Sequence, residues 1–379
     1  MMREAESLPV LLECLRRQSC QDFTLYACVN HSERAPQEMV DDNRQCLSML
    51  ATCGKLGDAP PVLLSRVWQG KRGGVGWARK VLFQEILSRV GDDELIVSLD
   101  ADTVFAPTHF AVLLEECNLH PSASAFALPY YHPLPGDEET CRTILRYELY
   151  MRHYCLSLRR IGSPYAFTAL GSAMAFPVWA YKKVGGITPL QGGEDFYLMQ
   201  KFVKTGLLCH PARLCVYPSP RPSLRVPFGT GPAVASGLAA LEVRHPFFPQ
   251  EAYEAIKATY DLFPALYGHD LETPMSSFLR RQLGTDDPWG PLRRNFRSQE
   301  AFVRACHERV DGLRILQYLR TFPYDADAFG ALFPLLGLPK PETLDFATAP
   351  IGRLDELRNQ LFRCENAPKT PNEQTYRQR

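Results

Sequence analysis

The stretch "ELIVSLDADTVFAP", residues 94–107, carries an apolar run into two aspartates separated by one alanine. On a strand, residues i and i+2 point to the same side. Asp100 and Asp102 are therefore expected to project together from the strand's carboxyl end, the edge where open α/β sheets bind ligands. Two carboxylates facing one way ask for a cation between them. A hard divalent ion such as Mn²⁺ or Mg²⁺, shared with the phosphates of a substrate, meets that need. Asp-Ala-Asp occurs again at 325–327 in "TFPYDADAFG". Ordinary aspartate usage gives about one D-x-D by chance in such a chain, and the copy beside Pro323, with no apolar run before it, is read as that one.

Three further groups could do chemistry. Gly192 and Gly193 directly precede Glu194 and Asp195, which open an amphipathic helix with Phe196, Met199, Phe202 and Val203 on one side. Carboxylates in a first helical turn suit the helix dipole, but a diglycine before them also lets a ligand approach closely. Arg221 and Arg225 precede Gly229-Thr230-Gly231, a basic loop that reads either as a lid over a diphosphate or as a linker. His210 and His245 are candidates for a third metal ligand or for ordinary packed histidines.

These residues need elements to hold them. With 45% hydrophobic and 22% charged residues in 379, the chain has material for a large core and for one large or two ordinary domains. Lys plus Arg and Asp plus Glu balance at 42 each, which argues against a nucleic-acid-coating surface. No apolar run is long enough to span a bilayer, and "MMREAESLPVLLECL" makes a poor signal peptide. The twelve cysteines are scattered singly, as free thiols of a reducing cytoplasm would be.

Helix and strand patterns alternate from residue 7 to about 220. Ser7 caps a helix bearing Val10, Leu11 and Leu15, "FTLYACV" and "PPVLLSRVWQ" read as strands, and residues 36–53 as a helix. "GGVGWARKVLFQEILSRV" reads as a helix buried along Val75, Ala78, Leu82, Ile86 and Arg89, and "ELIVSLD" as a strand covered on both faces. This alternation predicts an α/β domain, a three-layer and mostly parallel sheet, over 1–235. A helical region is expected over 236–366 and a disordered tail over 367–379. "CRTILRYELYMRHYCLSLRRIG" (141–162) reads as a helix whose Arg142, Arg146, Arg152, Arg159 and Arg160 form a solvated face. The same arginines could instead meet anionic lipid or a lipid-diphosphate acceptor, a peripheral membrane contact.

"VSLDADTVFAP", then "ALGSAMAFPVWAYKKVGGI", then "GGEDFYLMQKF" resemble, in that order, the family 2 glycosyltransferases, which have the GT-A, Rossmann-like nucleotide-diphospho-sugar fold. The resemblance covers about residues 4–235, and "QGKRGGVGWARKVLFQEIL" matches the family's glycine-containing segment before the metal motif. It implies that Asp100 and Asp102 hold a divalent cation, Mn²⁺ or Mg²⁺, on the donor's diphosphate. Asp195, with Glu194 beside it, is implied as the base that deprotonates the acceptor hydroxyl. Gly171 and Ser172 are implied to line the donor-sugar and acceptor pocket, while Lys71 and Arg79 approach the donor nucleotide.

The activity implied is inverting transfer of a sugar from a nucleotide-sugar to a glycan, lipid-linked or small-molecule acceptor. A cytoplasmic place, at the inner face of the membrane for a lipid-linked acceptor, goes with it. The family's domain opens with a strand and a turn ending in Asn-Glu, of which only "EAESL" after the turn is matched here. The first strand is thus expected either to lie upstream of Met1 or to be lost, leaving two sheet edges unpaired. Two other readings compete. A nucleotidyltransferase of the same fold would show a glycine-rich basic loop after its first strand, and this N-terminus has none. A non-catalytic carbohydrate-binding or scaffold protein derived from a truncated transferase is the other.

Overall fold

Leu8, Leu11, Leu12 and Leu15 recur at helical spacing and bury one stripe of the first helix, α1 (Leu8–Arg16), while Val10 faces out. The computed structural model describes residues 1–70 and 73–367 of the chain. Lys71 and all but the first residue of the expected tail lie outside the described residues. The chain divides into two compact units, 1–144 with 168–237 and 145–167 with 238 to the C-terminus. Residues 145–167, the greater part of the arginine-rich helix, belong to the second.

The first unit is mixed α/β. After α1 come β1 (Tyr26–Ser32), α2 (Gln37–Thr52), β2 (Val62–Trp68), α3 (Val75–Leu87), β3 (Leu95–Ser98), β4 (Thr103–Phe105), α4 (His109–Leu119) and β5 (Ala123–Ala127). α5 (Glu138–Arg160) leads into the second unit, and the chain returns with β6 (Met174–Pro177), α6 (Val178–Lys183), α7 (Glu194–Thr205), β7 (Leu207–Cys209) and β8 (Val216–Pro218). β1 pairs with β2, β4 with β8, and a four-stranded sheet runs β3-β6-β5-β7. Among the described strand pairs, β1–β2 and β5–β7 are parallel, β4–β8 is antiparallel, and β6 runs antiparallel to both β3 and β5. The sheets are small and divided, and the mostly parallel sheet expected from the alternation is not what the pairings form.

Among the described residues, no backbone ladder joins β1 to β3, so each has a strand on one side only. On β1's other side, the Met1 amino group donates to Cys28 O at 2.5 Å and Asn30 N donates to Met1 O at 3.0 Å. That is the pair of bonds a parallel neighbour makes across one residue.

Two local expectations are corrected. The buried line of α3 is Gly76, Ala78, Arg79 and Phe83, with Arg89 exposed, rather than the stripe from Val75 to Arg89. The reason is electrostatic: the Arg79 guanidinium is drawn inward by carboxylates, which turns the helix about one position from its purely apolar face. β3, for its part, buries alternate residues and stops at Ser98, so it is not covered on both faces. Leu99 and Asp100 lie beyond its end, and Ala101 and Asp102 form a turn into β4, closed by Thr103 N donating to Asp100 O at 3.2 Å.

The second unit is helical. α8 (Thr230–Arg244) breaks at Gly237, where φ is 75°, and its latter half opens this unit. α9 (Gln250–Leu266), α10 (Ser276–Leu283), α11 (Gly290–Asn295), α12 (Gln299–Arg309), α13 (Gly312–Leu319), α14 (Ala328–Leu335) and α15 (Ile351–Glu365) follow. The arginines of α5 do not form a solvated or lipid-facing surface. Arg146 and Arg152 are buried. Arg152 pairs with Glu148 at 2.5 Å and with Glu365, and Arg358 of α15 reaches the same Glu148 at 3.4 Å. Arg159 donates to Glu365 O at 2.6 Å at the end of α15, and Arg160 pairs with Glu254 at 2.6 Å. Glu148, Glu365, Glu254 and the C-terminal end of α15 compensate Arg152, Arg159 and Arg160 from within the fold, which a count of arginines on one helix cannot reveal.

All twelve cysteines are free. No helix among the described residues is long and apolar enough to cross a membrane.

Candidate functional site

The Asp-Ala-Asp turn stands where three other segments of the first unit bring in charge. From α3, Arg79 enters almost wholly buried; its Nη2 donates to Asp100 Oδ1 at 2.7 Å, and its Nη1 pairs with Glu194. Burial disfavours the guanidinium's charge, but Asp100, Glu194 and Asp195 together more than offset it, so its pKa lies above the ordinary arginine value. Glu194 and Asp195 form the first turn of α7, where unsatisfied N–H groups favour carboxylates. Gly193 caps that turn in the left-handed region, φ 75°, which an L-residue enters only with strain.

Asp195 is the poised group. Its Oδ1 accepts from Phe196 N at 2.8 Å. Burial first, and then the neighbouring Glu194, push its carboxyl up to about 7, against the pull of Arg79. Asp102 is pushed up to about 6, by burial and then by Asp100 and Glu4, although Arg221 and Arg225 act the other way.

The arginine loop between β8 and α8 closes the other side of the turn. Arg221 pairs with Asp102 at 3.0 Å and with Glu4; Arg225 pairs with Glu4 at 2.6 Å and donates to the Met2 and Arg3 carbonyls. Farther along the same loop, Pro227 and Phe228 lie against Gly192, leaving a side chain there little room. Glu4 is the member the sequence reading did not single out. It sat in the matched "EAESL" segment, but only the fold places it between two arginines.

Gly171 lies against the Arg79 guanidinium, and Ser172 next to it is buried. Ser98 Oγ donates to Gly171 O at 2.7 Å, and a Cβ at Gly171 would collide with the Arg79 guanidinium. The end of a flexible side chain usually yields to such a contact. Here it cannot yield without leaving Asp100 or Glu194. Gly171→Ala is therefore expected to cost about 1–3 kcal/mol of stability in urea unfolding. Gly91→Ala, where a Cβ meets nothing within 4 Å, should stay within about 0.5 kcal/mol of the parent.

Asp100, Asp102, Glu194, Asp195, Arg79, Gly171, Arg221 and Arg225 thus converge through these ion pairs and contacts, with Ser172 next to Gly171. Five carboxylates, counting Glu4, face three guanidiniums, a formal excess of two negative charges. Among the described residues, no group of three or more His, Cys, Asp or Glu side chains is arranged to hold a metal ion. His245 belongs to the second unit, with its ring against Tyr147 and Tyr150.

No family model matches the chain, and no curated protein does. The geometry therefore carries the functional argument.

Proposed function

We propose that the first unit is a metal-dependent inverting glycosyltransferase of the GT-A kind, moving a sugar from a nucleotide-diphosphate donor to an acceptor hydroxyl. The observation that carries the reading is the Arg79 bridge: one buried guanidinium joins Asp100 of the Asp-Ala-Asp turn to Glu194, next to Asp195. Two acidic motifs almost a hundred residues apart are thereby joined through one side chain, which supports the roles of metal holder and base that the resemblance gives them.

The residues fit a divalent ion by charge and by donor type. Side chain by side chain, the carboxylates outnumber the guanidiniums by two, and Asp102, raised first by burial and then by Asp100 and Glu4, is a carboxylate whose charged form a bound cation would favour. Asp100 and Asp102 each engage an arginine through a single oxygen, Oδ1 and Oδ2 respectively. Two protein carboxylates completed by diphosphate oxygens are a usual set for Mg²⁺ or Mn²⁺, which does not need a cage of three protein ligands. When bound, the ion would neutralise charge developing on the leaving diphosphate.

The chain's own residues do the rest. Asp195 takes the proton from the acceptor hydroxyl as that oxygen forms a bond to the anomeric carbon. The bond from that carbon to the diphosphate oxygen breaks on the opposite face, and the configuration inverts. Arg221 and Arg225 are placed to exchange Glu4 and Asp102 for phosphate oxygens as the donor enters, and their loop to exclude water around it. Gly171, by lacking a side chain, leaves room for the Arg79 guanidinium that joins the two acidic motifs. The acceptor class, whether glycan, lipid-linked or small molecule, follows from the resemblance alone.

Release of nucleoside diphosphate from a panel of nucleotide-sugars, with Mn²⁺ and with chelator, tests the proposal. Turnover of at least one donor, lost on chelation and lost in Asp100→Asn, is expected. Failure of every donor to turn over or to raise the melting temperature in Mn²⁺ would favour a non-catalytic, carbohydrate-binding protein.

A further inference from the structure

The second Asp-Ala-Asp, at 325–327, lines a cavity of about 110 Å³ in the helical unit. Arg146 of α5 lines it too, with Phe247 and Phe346. Four arginines among the described residues are buried: Arg79, Arg146, Arg152 and Arg358. Three of them hold carboxylates within ion-pair distance, and Arg146 holds none. Its Nη2 donates to His245 O at 3.0 Å, while Nε and Nη1 are buried without a hydrogen-bond partner among the described residues. The guanidinium lies 4.0 Å from the Phe247 ring centre and 5.0 Å from that of Phe346.

A charged fork with two orphaned donors is costly to bury, and the acceptor that fits it is a carboxylate, which can take two parallel N–H bonds. Burial lowers the Arg146 pKa only to about 10, so the fork stays charged at neutral pH. The rim selects what accompanies that carboxylate. Glu242, Asp325, Asp327, Glu342 and Asp345 line it, and the one lysine there, Lys340, sits 3.6 Å from Asp327. Glu242, Asp327 and Glu342 are exposed to water. Such a rim repels a phosphate dianion and attracts an ammonium group. Size narrows the class further: a cavity of about 150 Å³ holds a six-carbon ring, so this one suits a ligand of about five or six heavy atoms.

We propose that this cavity is a binding site for a small amino-carboxylate zwitterion, its carboxylate on Arg146 and its ammonium toward the acidic rim. The site stands apart from the transferase reading and does not rest on it. Glycine and alanine are the probes of the right size, with acetate, methylammonium and inorganic phosphate as single-charge and dianion controls.

Calorimetric titration of the full chain should show glycine or alanine binding at least about ten-fold more tightly than acetate or methylammonium, roughly the share of one charge-assisted contact. Phosphate should not compete. Arg146→Lys should weaken the zwitterion by a similar factor. Because that buried substitution can disturb folding, the exposed pair Glu242→Gln with Glu342→Gln provides an independent reading: acetate should gain on alanine by several-fold. The proposal is overturned if acetate binds as well as alanine, if phosphate binds more tightly, if the rim variants leave the preference unchanged, or if no zwitterion binds at millimolar concentration.

Discussion

Asp195→Asn is expected to lower sugar transfer by about 10²–10⁴-fold, the usual contribution of a positioned general base, while leaving the protein folded. Its effect on stability should have the opposite sign. In the folded chain the carboxyl holds its proton up to about 7, because burial and Glu194 disfavour the charge; the ordinary aspartate value is 3.8. Below the unfolded value both states are protonated, and the folded state keeps whatever the neutral carboxyl contributes. As pH rises from there through about 7, the unfolded chain ionises freely and the folded one reluctantly, so stability is lost. Asparagine cannot ionise and escapes that loss. Thermal melts at pH 5 and pH 8 should therefore show the variant gaining on the parent as pH rises, with its turnover gone at both. The parent's rate should climb through the same interval, since only the ionised carboxylate accepts the proton. A variant that keeps its turnover, or a parent rate flat from pH 5 to 8, would remove Asp195 from the base's role.

The same residue shows where the sequence was legible and where it was not. Diglycine before Glu194 and Asp195 marked a helix start that something approaches, and that much could be read from residue types. The Asp100–Asp102 turn was marked too, but for an incomplete reason. The two carboxylates do not share a side of a strand; they sit in a turn past its end, each meeting a different arginine. Those partners come from segments some twenty and more than a hundred residues away, and no local pattern encodes such a meeting. Arg79 was placed beside a ligand by resemblance, while the helical stripe assigned to α3 left it off the buried face. Burial of a charged side chain reverses the rule by which apolar periodicity is read, so the pattern failed at the residue that ties the site together. The arginines of α5 failed the same way: Glu148 stands four residues before Arg152 on the same helix, but Glu365 and Glu254, and the Arg358 that shares Glu148, are supplied by tertiary packing.

Arg79→Met is expected to have the largest effect on stability. The substitution keeps much of the side chain's bulk in α3 but removes the guanidinium that bridges Asp100 and Glu194. Asp100 is 45% exposed at its side chain and can turn to water; Glu194, at 2%, cannot. Leaving one buried charge without its partner typically costs about 3–5 kcal/mol, which for a unit of this size lowers the melting temperature by on the order of 10 °C. The cost belongs to the stranded carboxylate rather than to the arginine. Arg79→Met combined with Glu194→Gln should accordingly recover a large part of the loss, although neither change restores the ion pair. A double-mutant cycle in urea measures this directly as a strongly non-additive pair. If the two changes simply add, Arg79 contributes by filling space, and the buried bridge that unites the two acidic motifs is not an energetic link. Turnover separates the roles further: the double variant should fold yet remain inactive, because Asp100 and Asp195 lose the guanidinium that holds their surroundings in place.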